Sequence, residues 1–212
     1  MINKELGIVG YLDDNNDYKD LQENLEDFVN FIPVENCNTL NDIKKWLIQN
    51  NVECLVVDHK LVNKYEFAGT DVIAFLNKSM PDLPCIIITS YKDDSIAENL
   101  VIDLLIKDRD DLPGEDLKFT EFGNTLIQAC KIFRKRLEQR KQEFQELYLK
   151  KQNGNINVDD EENLQQSYKI LKEYGEVDDI PTTLLTSEIT NKIDELLKLA
   201  NNCISLERKE NE

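Results

Sequence analysis

With 212 residues and 41% hydrophobic content, the chain can bury a globular core and still carry a second, smaller unit. Its formal net charge of −17 disfavours nonspecific binding to nucleic acid, because phosphate backbones reward clustered Lys and Arg. No segment approaches the roughly 20 apolar residues of a membrane span, and Met1-Ile2-Asn3-Lys4-Glu5 lacks an apolar targeting core, so a cytoplasmic protein is expected.

The apolar run from Gly7 to Leu12 predicts a first β-strand, closed by Asp13 and Asp14. A helix is predicted over Tyr18 to Phe31, a short strand over Pro33 to Glu35, and a helix over Leu40 to Asn50 capped from Asn38-Thr39. Val52 to Val57 predicts a strand closed by Asp58. A charged loop from His59 to Phe67 then leads to a helix over Thr70 to Lys78, with Gly69-Thr70 as its cap. Cys85 to Ile88 predicts a strand closed by Thr89. Tyr91 to Leu100 leaves room for a short helix, and Val101 to Ile106 predicts a fifth strand, closed by Lys107. Short β-rich runs alternating with helices imply an α/β fold built on a doubly wound, five-stranded parallel sheet. Trp46 and the helical Phe residues read as core packing.

A long helix follows. From Leu126 the apolar positions Cys130, Phe133, Leu137, Phe144 and Leu147 keep a helical spacing to about Lys151, with Arg140 at the interrupted position. That stripe could pair two subunits as a coiled coil or fold back on the carboxy-terminal helices of its own chain. Asn153-Gly154-Asn155-Ile156-Asn157 with the acids Asp159 to Glu162 reads as a linker. Beyond it, Leu164, Tyr168, Leu171 and Tyr174 share one helical face that Gly175 would terminate, and a last helix is predicted from Ser187 through Ile204. The expected division is a sheet domain at 1–125, an extended helix at 126–152, a linker at 153–163 and a small, acidic α-helical region at 164–212.

Parallel strands align their carboxyl ends along one edge, where open α/β sheets bind ligands. Asp13, Asp14, Asp58, Thr89 and Lys107 all close strands there. Three carboxylates at one edge repel one another unless a divalent cation sits between them, and Mg²⁺ takes a few carboxylates together with water and phosphate oxygens. The set points to phosphoryl chemistry.

In those residues the first part of the chain, about 135 residues, resembles the receiver domain of two-component response regulators. The resemblance implies the receiver or flavodoxin-like fold, with Mg²⁺ held by Asp13, Asp14 and Asp58. Asp58 would be the phosphate acceptor, Thr89 the switch hydroxyl and Lys107 the ammonium that meets the phosphoryl group. A histidine kinase or phosphotransfer protein would supply the phosphate. Two departures stand out: Asp108 follows the lysine where receivers usually carry proline, and Leu105 replaces their usual Tyr or Phe.

Other features weigh less. His59, the single histidine, follows the acceptor, and strand alternation would turn it away from Asp58, so a spectator role is expected. Five cysteines without a Cys-x-x-Cys spacing read as reduced core thiols. The basic run Lys131, Arg134, Lys135, Arg136, Arg140 and Lys141 reads as a solvated face or a docking surface for an acidic partner. Asp93-Asp94 and Asp110-Asp111 read as loop charges. The expected function is a phosphoacceptor receiver, itself no enzyme acting on outside substrates, that signals through an output protein or a homodimer formed by its carboxy-terminal helices, with no nucleic acid and no membrane. A phosphate sink or relay, a non-phosphorylated adaptor and a hydrolase with an aspartyl intermediate are the alternatives. The last lacks its usual Asp-x-Asp, since His59-Lys60 follows Asp58.

Overall fold

Two strands composed almost wholly of apolar side chains set the centre of the sheet. The third strand, β3 (Cys54–Asp58), and the fourth, β4 (Cys85–Thr89), are buried at every position, as strands covered on both faces must be. The first, β1 (Ile8–Leu12), lies on the other side of β3, while β2 (Asn30–Pro33) and β5 (Ile106–Asp108) form the two edges. All neighbours run parallel in the order β2-β1-β3-β4-β5, the flavodoxin-like arrangement expected from the sequence. This computed structural model describes residues 6–15, 18–61, 64–90, 106–108 and 117–179. The predicted helix after Thr89, Leu105 with most of its strand, both tandem Asp pairs of the loops, the helix from Ser187 and Cys203 lie outside the described residues.

Strand alternation sorts the side chains onto two faces. On one, Val9, Tyr11, Cys54, Val56, Ile86 and Ile88 are covered by helix α1 (Tyr18–Leu25), through Leu21 and Leu25, and by helix α4 (Leu117–Gln152), through Phe122, Leu126 and Cys130. Close approach needs glycine here. A Cβ added at Gly7 would lie 2.5 Å from Cys130 Sγ, and one at Gly123 would lie 2.5 Å from the Phe28 ring. Glu53, just before β3, takes two hydrogen bonds from the Arg134 guanidinium of α4, at 2.6 and 2.7 Å, which fixes the helix against the sheet in a bidentate geometry. The opposite face carries helices α2 (Leu40–Gln49) and α3 (Gly69–Ser79), which bury Ile43, Leu47, Val72, Ile73 and Leu76. The Trp46 ring covers Gly10 so closely that a methyl group there would lie 3.3 Å from it, and Trp46 is thus a packing residue, as expected.

Several element bounds differ from the sequence expectation. The first helix ends at Leu25 and not at Phe31, with Phe28 and Val29 N–H groups closing the turn on the Leu25 carbonyl. Leu21, Leu25 and Phe28 continue a helical spacing, but the chain leaves the helix because Asn30 N–H bonds to Gly7 O and Phe31 packs its ring 5.2 Å from Tyr11. The second strand is therefore Asn30–Pro33 rather than Pro33 to Glu35, and Pro33 stands on an edge strand where its missing N–H is tolerated. Thr39 caps α2 as expected, in a reciprocal pair with Asp42. Helix α3 begins one residue early at Gly69, after Ala68, whose N–H is taken by the Asp71 carboxylate.

By contact the chain divides into Met1–Gln139 and Arg140–Glu212. In the second unit, helix α5 (Val158–Glu173) starts inside the stretch read as linker. Its acids Asp159, Asp160 and Glu161 form the first turn, where the helix dipole favours negative charge, and the Asn157 side chain caps Asp160 N–H at 2.7 Å. Only Asn153 to Asn157 break the helices. Leu164 and Tyr168 are buried against Phe144, Leu147, Ile156 and Val177, so the end of α4 folds back on α5 within the chain. Gly175, at φ 72°, ends α5 as its position predicted. No helix among the described residues is long and apolar enough to cross a membrane.

Cys37, Cys54, Cys85 and Cys130 are buried free thiols. Burial pushes the Cys85 and Cys130 thiols up to about 12 and raises Cys54 well above its ordinary value. Since the thiolate is the nucleophile, these three should resist alkylation by iodoacetamide at about pH 8 in the native protein and react once it is denatured. Peptide mass mapping before and after denaturation checks this, and modification of Cys54 in the folded protein would contradict it.

Candidate functional site

The ladder registers decide which groups meet. Leu12 pairs with Val57, Asp58 with Ile88, and Ile88 with Lys107. Continuing the first pairing by one residue sets Asp13 beside Asp58. Asp13, Asp58, Ile88 and Lys107 thus occupy one row across four strands, on the face covered by α1 and α4. Thr89 ends β4 one step further on, completely buried and paired with Asp108. Lys107 is half-buried and stands one residue before the end of β5, so Asp108, not the lysine, closes that strand.

One ligand atom from each of Asp13, Asp14 and Asp58 lies within 4.8 Å of the others. Asp13 and Asp58 are each only 8% exposed. Two unit charges at about 4 Å repel by roughly 4 kcal/mol at an effective dielectric near 20, so three clustered carboxylates are unfavourable without a counter-charge. Carboxylate oxygens are the hard donors that Mg²⁺ and Ca²⁺ accept, and the group is compatible with a divalent cation.

The local backbone explains how the cluster is held. Asp13 Oδ1 accepts Asn15 N–H at 2.9 Å, a turn that bends the chain out of β1. Its Oδ2 accepts the Tyr11 hydroxyl. On β3, the chain leaves Asp58 through His59, whose carbonyl accepts Gly69 N–H at 2.9 Å. A Cβ at Gly69 would collide with the Asp58 carbonyl oxygen, so only glycine lets α3 start against Asp58. The His59 side chain is buried, and its backbone carbonyl makes the turn.

Asp13, Asp14 and Asp58, which the sequence set at one sheet edge, come together as one cluster, and the strand registers put Lys107 in the row of Asp58. Sequence reasoning gave no role to Tyr11 or Asn15 and named Gly69 only as part of a helix cap. Tyr11 carried a readable signal: two residues before Asp13 on a strand, it shares that residue's face. The contact between Gly69 and Asp58 carried none, because it depends on where α3 lands.

No protein-family profile matches the chain, and no curated protein does. Among solved structures, the chain is similar to a response regulator receiver domain protein from Clostridium thermocellum, with 15% identity over 60% of this chain and 98% of that one, at a TM-score of 0.44. It is also similar to the signal receiver domain of an HD domain-containing protein from Pseudomonas fluorescens, with 13% identity over 64% and 96% of the two chains and a TM-score of 0.48. A third is a response regulator from Burkholderia pseudomallei with a phosphorylated aspartic acid, a calcium ion and citrate, at 18% identity, 79% and 97% coverage and a TM-score of 0.43.

Gly69→Ala should destabilise the protein by about 1–3 kcal/mol, the usual cost of forcing a methyl group into a filled site, here against a backbone carbonyl that cannot rotate away. Urea unfolding measures the loss, and an unchanged midpoint would mean that the α3 start yields freely. The strand order is that of the receiver or flavodoxin-like fold, with the acid cluster at its carboxyl edge.

Proposed function

We propose that the chain is a phosphoacceptor signalling protein that takes a phosphoryl group on Asp58 with Mg²⁺ as cofactor. The observation that supports it most is the approach of Asp13, Asp14 and Asp58 to within 4.8 Å at the carboxyl edge of the sheet, with Lys107 in the same row. An Asp58 carboxylate oxygen attacks phosphorus, forming the new P–O bond as the donor's leaving group departs. Phosphoryl transfer depends on positioning and charge neutralisation. A cation held by Asp13, Asp14 and Asp58 would neutralise the phosphoryl oxygens, and the Lys107 ammonium would take a share of the same charge. Thr89 supplies a hydroxyl donor at the end of the neighbouring strand.

The phosphate source in this reading is a histidine kinase or a phosphotransfer protein. The chain is no enzyme toward outside substrates. It acts in the cytoplasm, and its output passes to a protein partner or a second copy through the carboxy-terminal helices. Two of the basic side chains of α4 already serve the chain's own carboxylates, Arg134 on Glu53 and Lys141 on Glu176 at 2.6 Å, which leaves less of that run for a nucleic acid. A second reading, a receiver-like adaptor that is never phosphorylated, draws support from Asp108: an acidic residue, not proline, follows Lys107 and pairs with the buried Thr89.

Incubation with Mg²⁺ and acetyl phosphate in the cold should add one phosphoryl group, seen by intact-mass measurement, and Asp58→Asn should abolish it. A wild-type protein that binds Mg²⁺ but takes no label would favour the adaptor. Labelling that persists in Asp58→Asn would falsify the acceptor assignment.

A further inference from the structure

Tyr11 stands where a buried strand needs only an apolar side chain, yet it carries a hydroxyl, and that hydroxyl donates to Asp13 Oδ2. The ring is 1% exposed and packs 5.2 Å from Phe31 at an interplanar angle of 32°, so the strand and its neighbour fix the direction of the hydroxyl. Asp13 Oδ1 is engaged independently by Asn15 N–H at 2.9 Å. With one donor on each oxygen, the carboxylate cannot turn about its Cβ–Cγ bond without losing a hydrogen bond.

We infer that Tyr11 is a positioning residue that sets the cation preference of the acid cluster, favouring the small Mg²⁺ over Ca²⁺. The inference rests on reading Asp13, Asp14 and Asp58 as a metal site. Mg²⁺ demands a tight octahedron at about 2.0–2.1 Å and takes single carboxylate oxygens together with water. Ca²⁺ gains affinity by adding ligands at about 2.3–2.6 Å, often by turning carboxylates bidentate. A carboxylate held by a donor on each oxygen is prepared for the first mode and resists rotation into the second. Partners that orient a metal-binding carboxylate typically change metal affinity by about 10–100-fold when removed.

Tyr11→Phe keeps the ring and deletes only the donor. Mg²⁺ and Ca²⁺ affinities of wild type and variant, measured by calorimetry, are expected to show Mg²⁺ weakened by about 10-fold or more with Ca²⁺ changed much less, so that the preference shifts toward Ca²⁺. A general loss of packing would weaken both ions alike, and parallel weakening or an unchanged ratio overturns the inference. A second measurement needs no Tyr11 variant: Mg²⁺ added to the wild-type protein should give a tyrosine difference absorption spectrum, and Asp13→Asn should remove it. A wild-type protein that binds Mg²⁺ with no tyrosine signal also overturns the inference, while leaving the metal site standing. If the wild type binds neither ion, the metal reading itself fails, and this inference fails with it.

Discussion

Parallel pairing of neighbouring strands governs where the ionisable groups at the carboxyl edge of the sheet fall. The register Leu12↔Val57 sets Asp13 against Asp58, and the pairings of β3 with β4 and of β4 with β5 carry the row on to Lys107. A slip of one residue in any of these ladders would send a carboxylate or the ammonium to the other face. Such a slip is costly because both faces are covered: Val56 and Val57, adjacent in sequence, are both fully buried on opposite sides. Hydrophobic burial thus fixes an electrostatic arrangement that the carboxylates would not adopt by themselves.

The helices hold that register through close contacts. Gly10 admits Trp46 on one face, while Gly7 and Gly123 admit Cys130 and Phe28 on the other, so each layer rests almost directly on backbone. Glu53 and Arg134 add a charged fastening, and the guanidinium pKa is raised by its hydrogen bonds to Glu53. Because Arg134 is half exposed, the pair contributes about 1 kcal/mol or less. Its main effect is to orient α4, and the packed glycines supply the closeness.

The legible parts of this fold were those with a strong local signal. Runs such as Cys54 to Val57 and Cys85 to Ile88 are too short and too β-branched to be helices, and the polar residues at their ends mark the sheet edge without knowledge of the topology. The boundary at Leu25 was not legible. Leu21, Leu25 and Phe28 obey a helical period, and only the pairing of β2 with β1 draws the chain out of the helix. The acidic run Asp159 to Glu162 was misread for a related reason: a charge cluster after Gly154 has the composition of a linker, whereas its position after Asn157 makes it a favourable first turn. Composition identified the residues, and the neighbouring cap decided their structure.

The same logic explains why α4, 36 residues long, continues past the point where the sheet needs it. Its apolar stripe serves two cores in succession. Leu126, Cys130 and Phe133 are buried in the first unit, and Phe144 and Leu147 pack on Leu164 and Tyr168 in the second. Arg140, the interruption in the stripe, is the first residue of the second unit. A coiled coil between two copies through this helix would have to release Phe144 and Leu147 from α5. Each fully buried side chain of this size contributes about 1.5–3 kcal/mol, and these two are partly buried, so exchange must replace a few kcal/mol of existing packing before it gains anything. The charged pairs Lys150–Asp160 and Lys151–Glu161 hold the same two helices together at 3.2 and 3.5 Å, which adds to that threshold. An apolar stripe that suggests a dimer in the sequence is, in the folded chain, already answered by its own next helix.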